Sequence, residues 1–134
     1  LARTVHLGTP PDDLLRTSNA VQEGMAAVMG ALKAGVTAGD VHAAWLAVLN
    51  RYGLEKASRI GYSIGAAYAP DWGEHTLSFR ANEPTIVPEN AVVHVILGMW
   101  MDDWGMELSE TLHVRSGDCR RLCDFPQHVH IVEK

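Results

Sequence analysis

The sequence lacks what a membrane span, a disulfide framework or a nucleic-acid surface would need. No apolar run approaches the roughly 18 consecutive residues required to cross a bilayer. The first residues, Leu1-Ala2-Arg3-Thr4-Val5-His6-Leu7-Gly8, hold no long apolar stretch of the kind that forms a signal peptide. There are 2 cysteines, Cys119 and Cys123, in the run C-R-R-L-C with no second pair. A structural zinc site takes about four ligands, so these are expected to be ordinary reduced thiols. The 11 Lys and Arg residues are scattered and outnumbered by 16 Asp and Glu, for a formal net charge of −5. Without a basic stripe to neutralise phosphates, nucleic acid is excluded as an expected partner. These absences together point to the cytoplasm and to no membrane partner.

What is present is globular composition. Apolar residues make up 47% and charged residues 20% of 134 residues, enough for one domain with a real core and too few for two ordinary ones. There is no initiating Met, and the chain opens directly into strand-like alternation at residues 3–7. A processed or truncated chain is therefore expected.

The periodicity then changes twice. After the turn Gly8-Thr9-Pro10-Pro11, Pro11 suits a first helical position and Asp12-Asp13 suit the positive end of a helix dipole. Leu14, Leu15, Val21, Met25, Val28, Met29 and Leu32 recur with a period near 3.6, up to Gly35. Thr37 and Asp40 form a shortened capping box for a second helix with the stripe Val41, Ala44, Trp45, Val48, Leu49 and Tyr52, ended by Gly53. From there the period is two, predicting strands over 59–67, 76–80, 91–101, 106–114 and 120–123. A strand, two helices and a mostly antiparallel sheet make an α+β fold.

Three stretches are rich in polar and aromatic side chains: Arg59-Ile60-Gly61-Tyr62-Ser63-Ile64-Gly65, Asp71-Trp72-Gly73-Glu74-His75-Thr76, and His94 through Trp100-Met101-Asp102-Asp103-Trp104 to Glu107 and Glu110. Gly61 and Gly65 would let a backbone or ligand approach closely, or would mark a bulge. Residues 71–75 put an acid, a base and an aromatic on one loop. Alternation places His94, Ile96, Gly98 and Trp100 on one strand face, and Glu107, Ser109 and Thr111 on one face of the next. Glu110 then points the other way, beside Leu108 and Leu112, where a carboxylate needs a partner or a change of protonation state. His6, His42, His113, His128 and His130 read as ordinary surface or satisfied histidines.

On these motifs the chain resembles the C-terminal half of a creatinase/Xaa-Pro dipeptidase domain, the pita-bread fold of two helices on a curved, mostly antiparallel sheet. Gly61-Tyr62-Ser63-Ile64-Gly65 is similar to that family's G-H-G-I-G or G-H-S-F-G segment. Val92 to Gly98 falls where the family writes a strand ending in Glu-Pro, and Glu107-Leu108-Ser109-Glu110-Thr111 where it writes R-I-E-D-T. The likeness covers nearly the whole chain and is nearest to ectoine-hydrolase-like members. In metal-dependent members this half supplies one His and two Glu ligands, and the preceding half supplies two Asp. The resemblance puts Tyr62 at the His position and Ile96 and Ser109 at the Glu positions, so no metal and no other cofactor is expected.

The resemblance implies hydrolysis of a C–N bond in a small zwitterionic amide or amidine. Glu74 and His75 would transfer protons, with Glu107 orienting a cationic substrate group as the third catalytic residue. Tyr62 and His94 would donate hydrogen bonds to substrate or oxyanion, Trp72 and Trp100 would wall the pocket, and Glu110 would complete the substrate-binding set. One rival is a metal-dependent Xaa-Pro dipeptidase with displaced ligands such as His75, His94 and Glu107. Another is a non-catalytic binding or assembly module. Half of a pseudo-symmetric domain would expose an edge strand and apolar area, so it should either join the missing N-terminal half or form a two-fold homodimer; light scattering reads the latter directly.

Overall fold

A computed structural model describes residues 1–65 and 75–133. Strand β1 (Val5–Leu7) leads into helix α1 (Asp12–Ala31), then helix α2 (Ala38–Tyr52). Four further strands, β2 (Gly61–Ser63), β3 (Val92–Trp100), β4 (Gly105–Val114) and β5 (Cys119–Arg121), form an antiparallel sheet in that order, and β6 (His130–Val132) returns to pair with β1.

The helices form for the reasons their sequences suggest. Pro11 occupies the cap position of α1 rather than its first turn, and Asp12 and Asp13 lie in that turn, where the helix dipole favours negative charge. The helix ends at Ala31, four residues before Gly35, because the Leu32 N–H closes on the Val28 carbonyl while Leu32 itself turns extended. Thr37 and Asp40 exchange the two hydrogen bonds of a complete capping box at α2, and Gly53, in the left-handed region at φ 64°, stops it.

α1 and α2 pack through a glycine. A Cβ on Gly24 would lie 2.0 Å from Cζ3 and 2.1 Å from Cε3 of the fully buried Trp45, so the indole fits only because that position is bare. Gly24→Ala should therefore destabilise the fold by about 1–3 kcal/mol through overpacking, despite alanine's roughly 1 kcal/mol advantage in helix propensity. Urea unfolding of the two proteins would measure it.

The sheet has two unlike faces. Val93, Val95, Leu97 and Met99 of β3, with Met106, Leu108, Leu112 and Val114 of β4, join the buried core with the helices. The opposite rows carry His94, Ile96, Gly98, Trp100, Glu107, Ser109 and Thr111. Alternation in the sequence anticipates this division.

Three strand expectations need correction. Residues 76–80 form no named strand, although Phe79 exchanges backbone hydrogen bonds with Ile60 and Gly61 and Ser78 bridges Tyr62. The strand expected over 59–67 is confined to Gly61–Ser63, within the described residues, and 120–123 shifts to Cys119–Arg121. The β1–β6 pair is parallel, because residues 2–4 have already turned to lie antiparallel along the outer edge of β4. There Ser109 N–H donates to the Ala2 carbonyl at 3.2 Å, and Glu107 N–H to Thr4 Oγ1 at 2.9 Å. Among the described residues, no helix is long and apolar enough to cross a membrane.

Candidate functional site

The helix-free face of the sheet collects most of the side chains singled out in the sequence. Register places Tyr62, His94 and Thr111 in one row, Ile96 and Ser109 in the next, and Gly98 and Glu107 in a third. Tyr62 and His94 stack with ring centroids 5.5 Å apart and planes 20° from parallel. Over the Tyr62 ring, the Arg59 guanidinium carbon stands 4.7 Å from the ring centre, within cation–π range. Tyr62 thus contacts both a cation and an imidazole.

Burial lowers the His94 pKa from its ordinary 6.5, so the ring is neutral at pH 7 and offers one donor and one acceptor. His42, buried on α2, is lowered by burial as well. For both, the folded pKa lies below the unfolded one, so the unfolded chain takes up protons first as the pH drops. Their contribution is whole above pH 6.5 and is lost as the pH falls toward the folded values. The melting temperature should therefore decline between pH 7 and pH 5. Gln at both positions should flatten that part of the profile, which calorimetry across the range would show.

At the far end of the face lies Trp100. A Cβ on Gly98 would sit 2.8 Å from its ring, and one on Gly105 2.7 Å. Two glycines thus make a platform on which the indole lies while staying 68% exposed, an aromatic wall open to a ligand. Beside it a cavity of about 250 Å³ is lined by Lys56, Ser58, Gly98, Met99 and Trp100 among others. The Lys56 ammonium donates to the Gly98 carbonyl at 2.5 Å. Burial lowers its pKa, and the nearby Glu107 carboxylate works against that by favouring the charged form.

The three positions that the sequence resemblance aligns with metal ligands converge here. Ile96 and Ser109 are directly paired, and Tyr62 lies one row along. As a donor set they do not fit a divalent cation, since isoleucine has no donor atom and neutral hydroxyls are weak ligands. Ser109 Oγ is moreover occupied, accepting the Ala2 N–H at 2.7 Å in a fully buried position. No cluster of three or more His, Cys, Asp or Glu able to hold a metal exists among the described residues.

Glu110 does not join this group. It faces the helix side, is fully buried, and its Oε1 accepts from Arg3 at 2.6 Å, Gln127 at 2.8 Å and Arg121 at 3.2 Å. The partner demanded by a carboxylate between two leucines is thus supplied by both ends of the chain, and a place in substrate binding is not what this position offers. His75 is exposed in a turn, and Trp72 and Glu74 lie outside the described residues. Lys56 lay outside the stretches picked out from the sequence, and Arg59 opened one of them without being given a role. The signal available was a pair of cations three apart, just before the glycine-framed strand.

Comparison with known proteins bears on this geometry. Residues 1–116 match metallopeptidase family M24. The chain is 36% identical over 132 residues to an ectoine hydrolase of Halomonas elongata, covering 98% of this chain and 33% of that protein. It superposes on a dipeptidase, PepE, of Mycobacterium ulcerans with a TM-score of 0.88 at 23% identity, covering 98% of this chain and 35% of the other. An X-Pro aminopeptidase of Thermotoga maritima gives a TM-score of 0.85 at 22% identity, covering 97% and 36%. At these identities the two structures establish the fold. The chain spans about a third of the length of each of these relatives.

Proposed function

The chain belongs to metallopeptidase family M24, and from that premise we propose that the protein hydrolyses a C–N bond of a small zwitterionic amide or amidine, ectoine-like, without a metal ion. The observation that carries this reading is the set of Tyr62, Ile96 and Ser109, non-ligating side chains in adjacent rows of the helix-free face. The likeness to an ectoine hydrolase over 98% of the chain supports the substrate class.

Without a cation to activate water or polarise the scissile group, side chains carry the chemistry. A base must take a proton from the attacking water and a donor must protonate the leaving nitrogen. We assign these to Glu74 and His75. Neutral His94 and Tyr62, stacked and therefore fixed in orientation, supply hydrogen bonds to the charge that develops on the substrate; such pre-set donors work best where no reorganisation is needed. Glu107 meets the cationic end of the substrate, with Trp100 presenting its exposed ring face to the same charge. Because the chain spans about a third of the length of its relatives, the reading assigns turnover to the intact protein and none to the 134 residues alone.

Incubating the intact protein with ectoine and following product amine tests this. Steady turnover is expected, and Tyr62→Phe should lower kcat about 10- to 100-fold, the range for loss of a hydrogen bond made in the transition state. Turnover of Xaa-Pro dipeptides with ectoine untouched would overturn the proposal.

A further inference from the structure

We infer that Arg59 is the anchor for the substrate's carboxylate, so that the site selects molecules bearing an anionic carboxyl group; this rests on the zwitterion reading above and adds the residue that reads the negative end. Most of the other arginines are already engaged. Arg3 and Arg121 pair with Glu110, Arg51 with Glu23, Arg80 with Glu83 and Arg115 with Asp118. Arg16 donates to the Tyr52 carbonyl, and Arg120 is exposed on β5, at the opposite edge of the sheet from Tyr62. Arg59 meets no carboxylate or carbonyl among the described residues. Its contact there is the Tyr62 ring, 4.7 Å from the guanidinium carbon.

That contact is informative because it orders the group without using its hydrogen bonds. A guanidinium laid on an aromatic ring keeps its N–H donors pointing outward in its own plane. Such a fork fits the two oxygens of a carboxylate, and stacking removes part of the rotamer entropy that binding would otherwise cost. The ring beneath is itself held by stacking on His94, so the cation stands in register with the polar row of the candidate site. Lys56, the other nearby cation, is committed elsewhere: its ammonium is held by the Gly98 carbonyl and answers the charge of Glu107. Arg59 is exposed, so a ligand can reach it from solvent. The face therefore carries a positive anchor at the Tyr62 row and an acidic residue, Glu107, at the Gly98 row, four β3 residues away. That polarity sets which way round a zwitterion lies.

The test uses the intact protein, ectoine, and the ectoine analogue in which the carboxylate is replaced by a carboxamide. Calorimetric titration of wild type should show ectoine bound about 10- to 100-fold more tightly than the carboxamide, as for a charge-assisted bidentate pair. Arg59→Gln should remove that preference by weakening ectoine alone. KM for ectoine should rise by the same factor with kcat little changed, as for binding felt equally in ground and transition states. Arg59→Lys should restore only part of the preference, because an ammonium cannot make the fork. Wild type that binds both ligands alike, or an Arg59→Gln protein that keeps the preference, overturns the anchor. Wild type that shows the preference but never hydrolyses ectoine overturns the hydrolase reading and leaves the anchor standing, and wild type that binds neither ligand overturns both.

Discussion

Replacing Glu110 with alanine should destabilise the protein by about 3–5 kcal/mol, the cost of removing one member of a buried ion pair and leaving the other uncompensated. The group left behind is Arg3, whose side chain is only 7% exposed and whose Nη2 loses its 2.6 Å contact. Arg121 and Gln127 lose the same acceptor. The effect should spread beyond β4. Arg3 also donates to the Ser109 carbonyl at 2.8 Å and to the Phe125 carbonyl at 3.1 Å, so the network ties residues near both ends of the chain to one strand. Arg3→Ala should accordingly loosen the pairing of residues 2–4 with β4, raising hydrogen exchange at the Ser109 and Glu107 amides ahead of the core. A Glu110→Ala protein within about 1 kcal/mol of wild type in urea unfolding would show that the network is not the clasp described.

Gly61→Ala should have an effect of comparable size, and it should reach the candidate site. A Cβ there would stand 2.5 Å from the His94 carbonyl oxygen and 3.2 Å from the Val95 Cα. Both are backbone atoms of β3, which cannot yield as a flexible side chain would. The strand pairing of Gly61 with Val95 and Tyr62 with His94 must open instead. A loss of about 3 kcal/mol is expected, the upper part of the overpacking range. Because Tyr62 moves with β2, its stack on His94 is broken too, and the intact protein should lose activity beyond what its remaining folded fraction accounts for. Unfolding curves and rates corrected for folded fraction separate the two effects. Unchanged stability would mean β2 and β3 are not as close as described.

How much of this was open to sequence reading depended on how local the cause was. The capping box of Thr37 and Asp40 needs only neighbours in sequence, and it is present as expected. Two-residue alternation in β3 and β4 is equally local; it divided the faces and put Glu110 opposite Glu107 and Ser109. What escaped were contacts set by distant register. The lie of residues 2–4 along β4 joins positions more than 100 residues apart, and nothing in the run Ala2-Arg3-Thr4 announces its partner. β6 escaped for the same reason: its parallel pairing with β1 follows only once residues 2–4 are anchored. His42, read as an ordinary histidine, is buried at the α2 start, its Nδ1 without a hydrogen-bond partner among the described residues, because the segment around Glu83 closes over that end of the helix through the Gly39 N–H. Arg59 opened a singled-out stretch but received no role, because its significance lies in the ring beneath it, which only the folded strand supplies.

The metal independence proposed for this M24 site is open to one direct measurement. The intact protein would be dialysed exhaustively against a strong chelator, its residual metal determined by elemental analysis, and its ectoine hydrolysis compared with that of the untreated protein. An unchanged rate is expected in protein holding far less than one metal per chain, with no gain when Mn, Co or Zn is added back. Activity that vanishes on chelation and returns with stoichiometric metal would contradict it, and would mean that ligands other than Tyr62, Ile96 and Ser109 build a metal centre on this fold.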